Sequence, residues 1–270
     1  METGKTRRLR RIFREDGKTV IVPMDHGVSV GPIEGLTDMD ATIDNVAKGG
    51  ADAVLVHAGI AKTVYTQRMG LILHLSGATR LTREPNWKTQ LSTVKLALRL
   101  GADAVSVHIN MGSEHEQDML DQFSRILDES DDVGLPVLAM MYPRGPGMQN
   151  EHDCEMVSHA ARLGYELGAD VVKTNYTGDI ESFRNVVNSV KAPVVVAGGP
   201  KAGSESEALQ LVSDSIKAGA AGISIGRNVF QHPKQILMTR ALVEIVHNGT
   251  SPTQALSILG ERSERILARA

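Results

Sequence analysis

Cysteine is almost absent. Cys154 stands alone in 270 residues, so no internal disulfide can form, a disulfide-stapled secreted scaffold is excluded, and a reducing, cytoplasmic setting is expected. Aromatic residues are only 3% of the chain, which leaves the core to Val, Ile, Leu, Ala and Met, side chains that suit a barrel interior. No apolar stretch is long enough to span a bilayer and none resembles a signal peptide, so no membrane partner is expected. Neither sign of charge dominates: 29 Lys and Arg stand against 32 Asp and Glu, a formal net charge of -3, which argues against a nucleic-acid partner. The one basic run, Lys5-Thr6-Arg7-Arg8-Leu9-Arg10-Arg11, reads as the solvated face of a first helix. A Gly-x-Ser-x-Gly elbow and a Walker-type loop are also missing. Cys154 follows His152 and Asp153 at a helix start, so serine or cysteine nucleophile chemistry has no support.

What is present is a repeat. Gly50-Ala51-Asp52-Ala53-Val54-Leu55-Val56-His57 is echoed by Gly101-Ala102-Asp103-Ala104-Val105-Ser106-Val107-His108. Looser copies begin at Gly168-Ala169-Asp170 and Gly219-Ala220-Ala221. Each copy reads as a helix end closed by glycine, a short turn and a β-rich run. Four more short apolar runs, at 19–24, 71–75, 135–141 and 192–197, bring the strand count to eight, the run at 71–75 being the ambiguous one. Helical patterns fill residues 38–48, 87–99, 114–128, 153–167, 180–189 and 204–217. Alternation in this number predicts an α/β fold, a parallel (β/α)8 TIM barrel, as a single domain over 1–270. Residues 1–17 are expected as an N-terminal helical extension and 233–270 as C-terminal helices. An open doubly wound sheet is the alternative, because sequence patterns do not show closure.

In such a barrel the C-terminal ends of the strands carry the chemistry. They deliver Asp25 and His26, His57, His74, His108 and Asn110, Tyr142 and Arg144, Lys173 with Asn175 and Tyr176, Gly198-Gly199, and Gly226-Arg227. Lys173 interrupts the apolar run Val171-Val172, where an ammonium is costly to bury. A desolvated lysine becomes a nucleophile that forms an iminium with a carbonyl, an electron sink for carbon-carbon cleavage. A lysine reaching solvent at the barrel mouth fits its position equally well. Asp25 is placed to move protons or to hold Lys173, or else simply caps a turn before Gly27. Tyr142 is a proton donor or a packed ring. The glycines and Arg227 at the last two strands favour phosphate binding over plain turns. His57, His74 and His108 beside Asp25 raise a divalent metal, but they lack the His-x-His pairs or clustered carboxylates of metal centres, so no metal is expected.

As a set, Pro23-Met24-Asp25-His26-Gly27, Met141-Tyr142-Pro143-Arg144-Gly145, Val172-Lys173-Thr174-Asn175-Tyr176, Ala197-Gly198-Gly199-Pro200 and Ile225-Gly226-Arg227-Asn228 resemble the archaeal-type class I aldolases, Schiff-base (β/α)8 enzymes. The likeness runs in order over nearly the whole chain. The segment from Val22 to Ser29, with Gly31-Pro32-Ile33-Glu34-Gly35-Leu36, is similar to a transaldolase branch that opens an alternative route to aromatic amino acids. Plain fructose-bisphosphate aldolases of the family usually carry a second histidine where Val30 stands here.

The resemblance implies that Lys173 attacks a phosphorylated keto-sugar and passes a ketone fragment to L-aspartate semialdehyde, with Asp25 as proton acceptor and Tyr142 as donor. His26, Gly27, Val28, Ser29, Pro143, Arg144, Gly198, Gly199, Gly226 and Arg227 would surround the substrate and its phosphate. It implies no cofactor, and a ring-like homo-oligomer such as a decamer. The rivals are a fructose-1,6-bisphosphate aldolase, a metal-dependent barrel enzyme and a non-catalytic sugar-phosphate binding protein.

Overall fold

The computed structural model describes residues 3–260; Met1, Glu2 and 261–270 lie outside them. Its strands are β1 (Thr19–Pro23), β2 (Ala53–Val56), β3 (Gly70–His74), β4 (Ser76–Gly77), β5 (Thr89–Gln90), β6 (Ala104–Met111), β7 (Val137–Pro143), β8 (Val171–Thr174), β9 (Val194–Ala197) and β10 (Gly222–Ser224). Eight of them close in the order β1-β10-β9-β8-β7-β6-β3-β2. Every barrel pairing is parallel, and β1 is bonded to both β2 and β10, which rules out an open sheet.

Strand periodicity sorts the side chains into two layers. Ile21, Ala53, Leu55, Ile72, Leu138, Met140, Val171 and Val195 fill the barrel interior. Their neighbours Val20, Val22, Val54, Val56, Ala139, Met141, Val172, Val194 and Val196 pack outward against the helices. Ile12, only 2% exposed, joins the inner group and closes the barrel floor.

The repeat has a structural cause. Asp52 accepts the N–H of Val20 (2.7 Å), Asp103 that of Leu71 (3.0 Å) and Asp170 that of Val137 (2.8 Å). Each aspartate therefore caps a neighbouring strand and fixes its register. In the fourth copy, where Ala221 stands in place of aspartate, only the backbone pairings remain: the Ala221 N–H donates to the Val194 carbonyl (2.8 Å) and its carbonyl accepts the Thr19 N–H (3.0 Å). The N-terminal segment supplies partners to the same aspartates: from the basic run Arg11 pairs with Asp103 (3.0 Å) and Lys5 with Asp170 (3.0 Å) and also Asp131, and beyond the run Arg14 pairs with Asp52. Part of the run is thus the sealed underside of the barrel rather than only a solvated helix face.

Helices begin where the sequence supplies caps. Asp38, Asp153, Asp179 and Ser204 accept backbone N–H groups at the starts of Met39–Gly49, Cys154–Leu167, Ile180–Asn188 and Glu205–Lys217. The helix expected over 87–99 is confined to Val94–Arg99. Thr93 caps it from an extended conformation, and the N–H groups of Leu91 and Ser92 are committed to the Leu75 carbonyl. The preceding residues instead form β5, an antiparallel ribbon with β4 laid over the barrel mouth. The helix expected over 114–128 is Glu116–Asp132. The N-terminal extension is helical over Thr3–Leu9 and turns thereafter to bring Ile12 under the barrel. Of the expected C-terminal helices, Gln235–Asn248 and Pro252–Ile258 are present, and 261–270 lies outside the described residues. Among the described residues no helix is long and apolar enough to cross a membrane.

Candidate active site

Lys173 lies on β8 in register with Met140 of β7 and Val195 of β9. Val171 faces inward and Val172 outward, so alternation turns Lys173 into the barrel, where it is 6% exposed. Burial lowers its pKa to about 8, against the opposing pull of Asp25. The amine is therefore neutral for a substantial fraction of the time near neutral pH.

Asp25 follows β1, held in place by the Met24 N–H bonded to the Leu55 carbonyl (2.7 Å), and precedes the short helix His26–Val30. Burial raises its pKa, but His74, His26, Lys173 and His57 together outweigh that and hold it well below the usual carboxylate range. The nearest imidazole nitrogens are His26 Nδ1 at 3.5 Å and His74 Nε2 at 3.8 Å. Burial takes the His74 pKa to about 4 and lowers those of His26, His57 and, further, His108, so the imidazole charges that act on Asp25 belong to acid pH and fade by pH 7. At that pH Lys173 is left as the cation facing Asp25.

Tyr142 is buried at the end of β7 with the His108 ring edge-on at 4.9 Å and the Arg144 guanidinium 5.4 Å from its centroid. Burial pushes its hydroxyl above the ordinary range, with Arg144 opposing and Asp25 and Glu151 assisting. A hydroxyl that stays protonated is suited to donate. The fork of Arg144 is engaged by Glu151 through Nε (2.8 Å) and a terminal nitrogen (2.7 Å).

These groups line one cavity of about 300 Å3 at the C-terminal end of the barrel, within the range for a small metabolite. Gly198, Gly199, Gly226 and Arg227 line its β9–β10 side. Gly226 is required there: a Cβ would meet the Pro23 carbonyl at 2.6 Å and the His26 ring at 2.9 Å. Arg227 donates to the Gly199 carbonyl (2.7 Å), while its Nε and the Ser224 hydroxyl are buried without a partner among the described residues, donors available to an anionic oxygen.

Of the sequence-derived residues, Lys173, Asp25, Tyr142, His26, Ser29, Arg144, Gly198, Gly199, Gly226 and Arg227 meet at this cavity. Gly27, Val28 and Pro143 do not line it. On the helix His26–Val30, His26 and Ser29 share the face towards the cavity, and Gly27 and Val28 look into an adjoining cleft that shares Asp25 and His57 with it and is closed by Leu36, Met39 and Ile60. Pro143 is buried in register with Met111. Tyr176 points outward onto Phe183 at 5.3 Å.

The histidines are less scattered than their spacing implied. His57 and His74 bring ligand atoms within 4.8 Å of each other and of Asp25, the set among the described residues that could hold a divalent cation. The Lys173 ammonium faces the same carboxylate, so amine and metal would compete for Asp25. Lys88, Ser76, Ser224 and Asn175 also line the cavity. Lys88 is hidden in the sequence because its segment reads as helical; Pro85 and the Ser92-Thr93 pair are the turn and cap signals that place it before a helix rather than within one.

The sequence profile described as DeoC/LacD family aldolase matches residues 19–232. The chain is 47% identical over 261 residues to the 2-amino-3,7-dideoxy-D-threo-hept-6-ulosonate synthase of Halobacterium salinarum, covering 96% of this chain and 97% of the relative. It is 44% identical to synthase 1 of the same name from Archaeoglobus fulgidus, covering 95% and 96%. A solved Schiff-base-forming fructose-1,6-bisphosphate aldolase superposes with a TM-score of 0.86 at 36% identity, covering 90% of this chain and 100% of that one.

Proposed function

Because this chain belongs to the DeoC/LacD family of aldolases, we propose that it is a Schiff-base transaldolase, a 2-amino-3,7-dideoxy-D-threo-hept-6-ulosonate synthase. The donor is 1-deoxy-D-threo-hexo-2,5-diulose 6-phosphate and the acceptor L-aspartate semialdehyde, in a route to 3-dehydroquinate and the aromatic amino acids. The observation that carries this reading is a buried amine with a pKa near 8 facing a carboxylate, with a protonated phenol in the same cavity. Near-full-length identity to synthases of that name supports the choice of substrates.

The neutral Lys173 amine adds to the C2 ketone, and loss of water gives the iminium. Its positive nitrogen accepts the electron pair of the breaking C3–C4 bond while Asp25 takes the proton of the C4 hydroxyl. A phosphorylated dicarbonyl leaves and an enamine remains on Lys173. The enamine carbon then attacks the semialdehyde carbonyl, and Tyr142 protonates the new alkoxide. Water hydrolyses the second iminium to free the seven-carbon product, and a proton passed from the Asp25 acid to the tyrosinate restores both groups. Arg227, Ser224 and the glycine backbones offer donors to substrate oxygens. The same reading places the enzyme in the cytoplasm as a homo-oligomer, which sedimentation of the purified protein checks.

Borohydride reduction with the donor, followed by mass spectrometry, should place a hydroxyacetone-derived adduct on Lys173, with seven-carbon product forming only when L-aspartate semialdehyde is present. Fast cleavage of fructose 1,6-bisphosphate without any need for the semialdehyde would favour the plain aldolase. Activity lost on chelation and restored by a divalent cation would favour a metal enzyme built on Asp25, His57 and His74.

A further inference from the structure

Lys88 is a cation in the cavity with no counter-charge. Among the described residues no carboxylate lies within ion-pair distance of it, and its ammonium donates only to the Pro85 carbonyl (2.6 Å), leaving two N–H groups for a ligand. It is half-buried, and its pKa is lowered first by burial and then by the nearby Arg144 charge, with Asp25 opposing. Arg144 has Glu151 as its ion-pair partner; among the described residues Lys88 has none. The position is held rather than loose. The Lys88 N–H contacts the Met119 sulfur (3.4 Å), the neighbouring Asn86 carbonyl accepts from Asn110 (2.8 Å), and Trp87 stacks on His115 at 4.0 Å.

Its place in the ring gives it a direction. In the closed strand order β9 stands opposite β3 and β10 opposite β6. The Gly198-Gly199 and Arg227 donors therefore form one cationic side of the cavity, and Lys88, carried by the ribbon over β3 and β6, forms the other. Lys173 on β8 and Tyr142 on β7 lie between them, and Tyr142 touches the Lys88 side through His108 of β6. Lys88 is thus the cation without an ion-pair partner among the described residues on the side of the cavity that Tyr142 touches.

We propose that Lys88 is the specificity-determining anion site for the aldehyde partner, gripping the α-carboxylate of the incoming amino-acid semialdehyde and, in the preceding half-reaction, the phosphate of the departing aldehyde. This rests on the transaldolase reading for the identity of the carboxylate. The donor's one phosphate rides on the fragment that leaves, so it lies at Lys88 and not at the Gly198-Gly199 and Arg227 donors where the sequence placed it; those donors serve the oxygens of the fragment held on Lys173, and the two anions never meet because one fragment leaves before the other binds. The phosphorus lies one bond further from its aldehyde carbon than the carboxylate carbon does. A flexible lysine, a point charge without the fixed fork of arginine, tolerates that difference.

The test replaces Lys88 by Met and, in case that variant does not fold, by Gln, with Lys88→Arg as the conservative control. Steady-state constants are compared for L-aspartate semialdehyde and for propanal, a neutral acceptor. Loss of a charge-assisted hydrogen bond predicts a KM for the semialdehyde about tenfold to a hundredfold higher, with the preference over propanal falling by the same factor. Lys88→Arg should keep most of that preference. A general loss of folded enzyme lowers both acceptors alike and leaves their ratio standing. A preference unchanged in both Met and Gln variants overturns the proposal. Cleavage of the 6-phosphorylated donor, which needs no acceptor, separates the two readings. If wild-type enzyme ignores the semialdehyde, the transaldolase reading falls, while a raised KM for donor cleavage in Lys88→Met still upholds Lys88 as the anion site and an unchanged one overturns it.

Discussion

Lys173 has to be an amine that is free often enough to attack yet charged often enough to sit beside Asp25. With a pKa of about 8, roughly a tenth of it is neutral at pH 7, against less than about one in a thousand for an ordinary lysine. The rate of imine formation should therefore climb as pH rises towards 8 and level off above it. The sign of the Asp25 effect is fixed: the carboxylate stabilises the ammonium and raises the Lys173 pKa. Asp25→Asn removes that support, so the rising limb should move to lower pH even as turnover falls for want of a proton acceptor. Borohydride trapping rates measured across pH 5–9 check this; a limb that stays in place in the variant would mean that Asp25 does not face the amine. The neutral histidines around Asp25 explain why the pair is not dissolved into a larger cluster of charge.

At the scale of elements, the barrel was legible because its signals are local. Gly-Ala-Asp marks three helix-to-strand joints that repetition alone brings out, while the capping role of each aspartate is visible only in the structure. Strand ends deliver Asp25, Tyr142, Lys173 and Arg227 for the same reason. The ribbon β4–β5 was not legible, since each of its strands is two residues long and takes its stability from Leu75, Asn110 and Met119, residues remote in pattern. Lys88 was lost with it. The resemblance names Gly27, Val28 and Pro143 together with their neighbours, but a motif does not tell which way each side chain of a short helix or a strand end turns, and these three do not line the cavity. The junction of β1 and β10 gives a test at this scale. Gly226 has an ordinary negative φ, so its need is for space, and a methyl group would press on the Pro23 carbonyl and His26. Gly226→Ala should cost about 1–3 kcal/mol in urea unfolding. It should also lower kcat/KM by more than that loss accounts for, because the strand ends carrying Asp25 and Arg227 are pushed apart. Wild-type kinetics in a folded variant would show that the contact relaxes without moving the site.

Across the whole molecule, charge is divided between the two ends of the barrel, and the ends do different work. At the mouth, Lys173, Lys88 and Arg227 are incompletely matched by anions, which suits a site that binds anionic substrates. At the floor the matching is close: Asp52 accepts from Val20, pairs with Arg14 and bonds His247 (2.9 Å), whose other nitrogen reaches Asp16 (2.8 Å). The Asp52 side chain is only 7% exposed, so removing it takes the acceptor from a strand N–H and one partner each from Arg14 and His247, which keep the Gly50 carbonyl and Asp16. Arg14 is near solvent and contributes little by itself. The buried N–H and His247 set the cost of Asp52→Ala at roughly 2–4 kcal/mol. Asp52→Asn, whose amide oxygen can still accept from Val20, should lose about 1 kcal/mol. Because the floor and the catalytic groups lie at opposite ends of a rigid barrel, kcat/KM of the folded Asp52→Ala protein at 25 °C should match wild type while its urea midpoint drops. A variant that kept its stability would refute the capping role assigned to the repeat, and one that lost activity while fully folded would refute the separation of a structural floor from a chemical mouth.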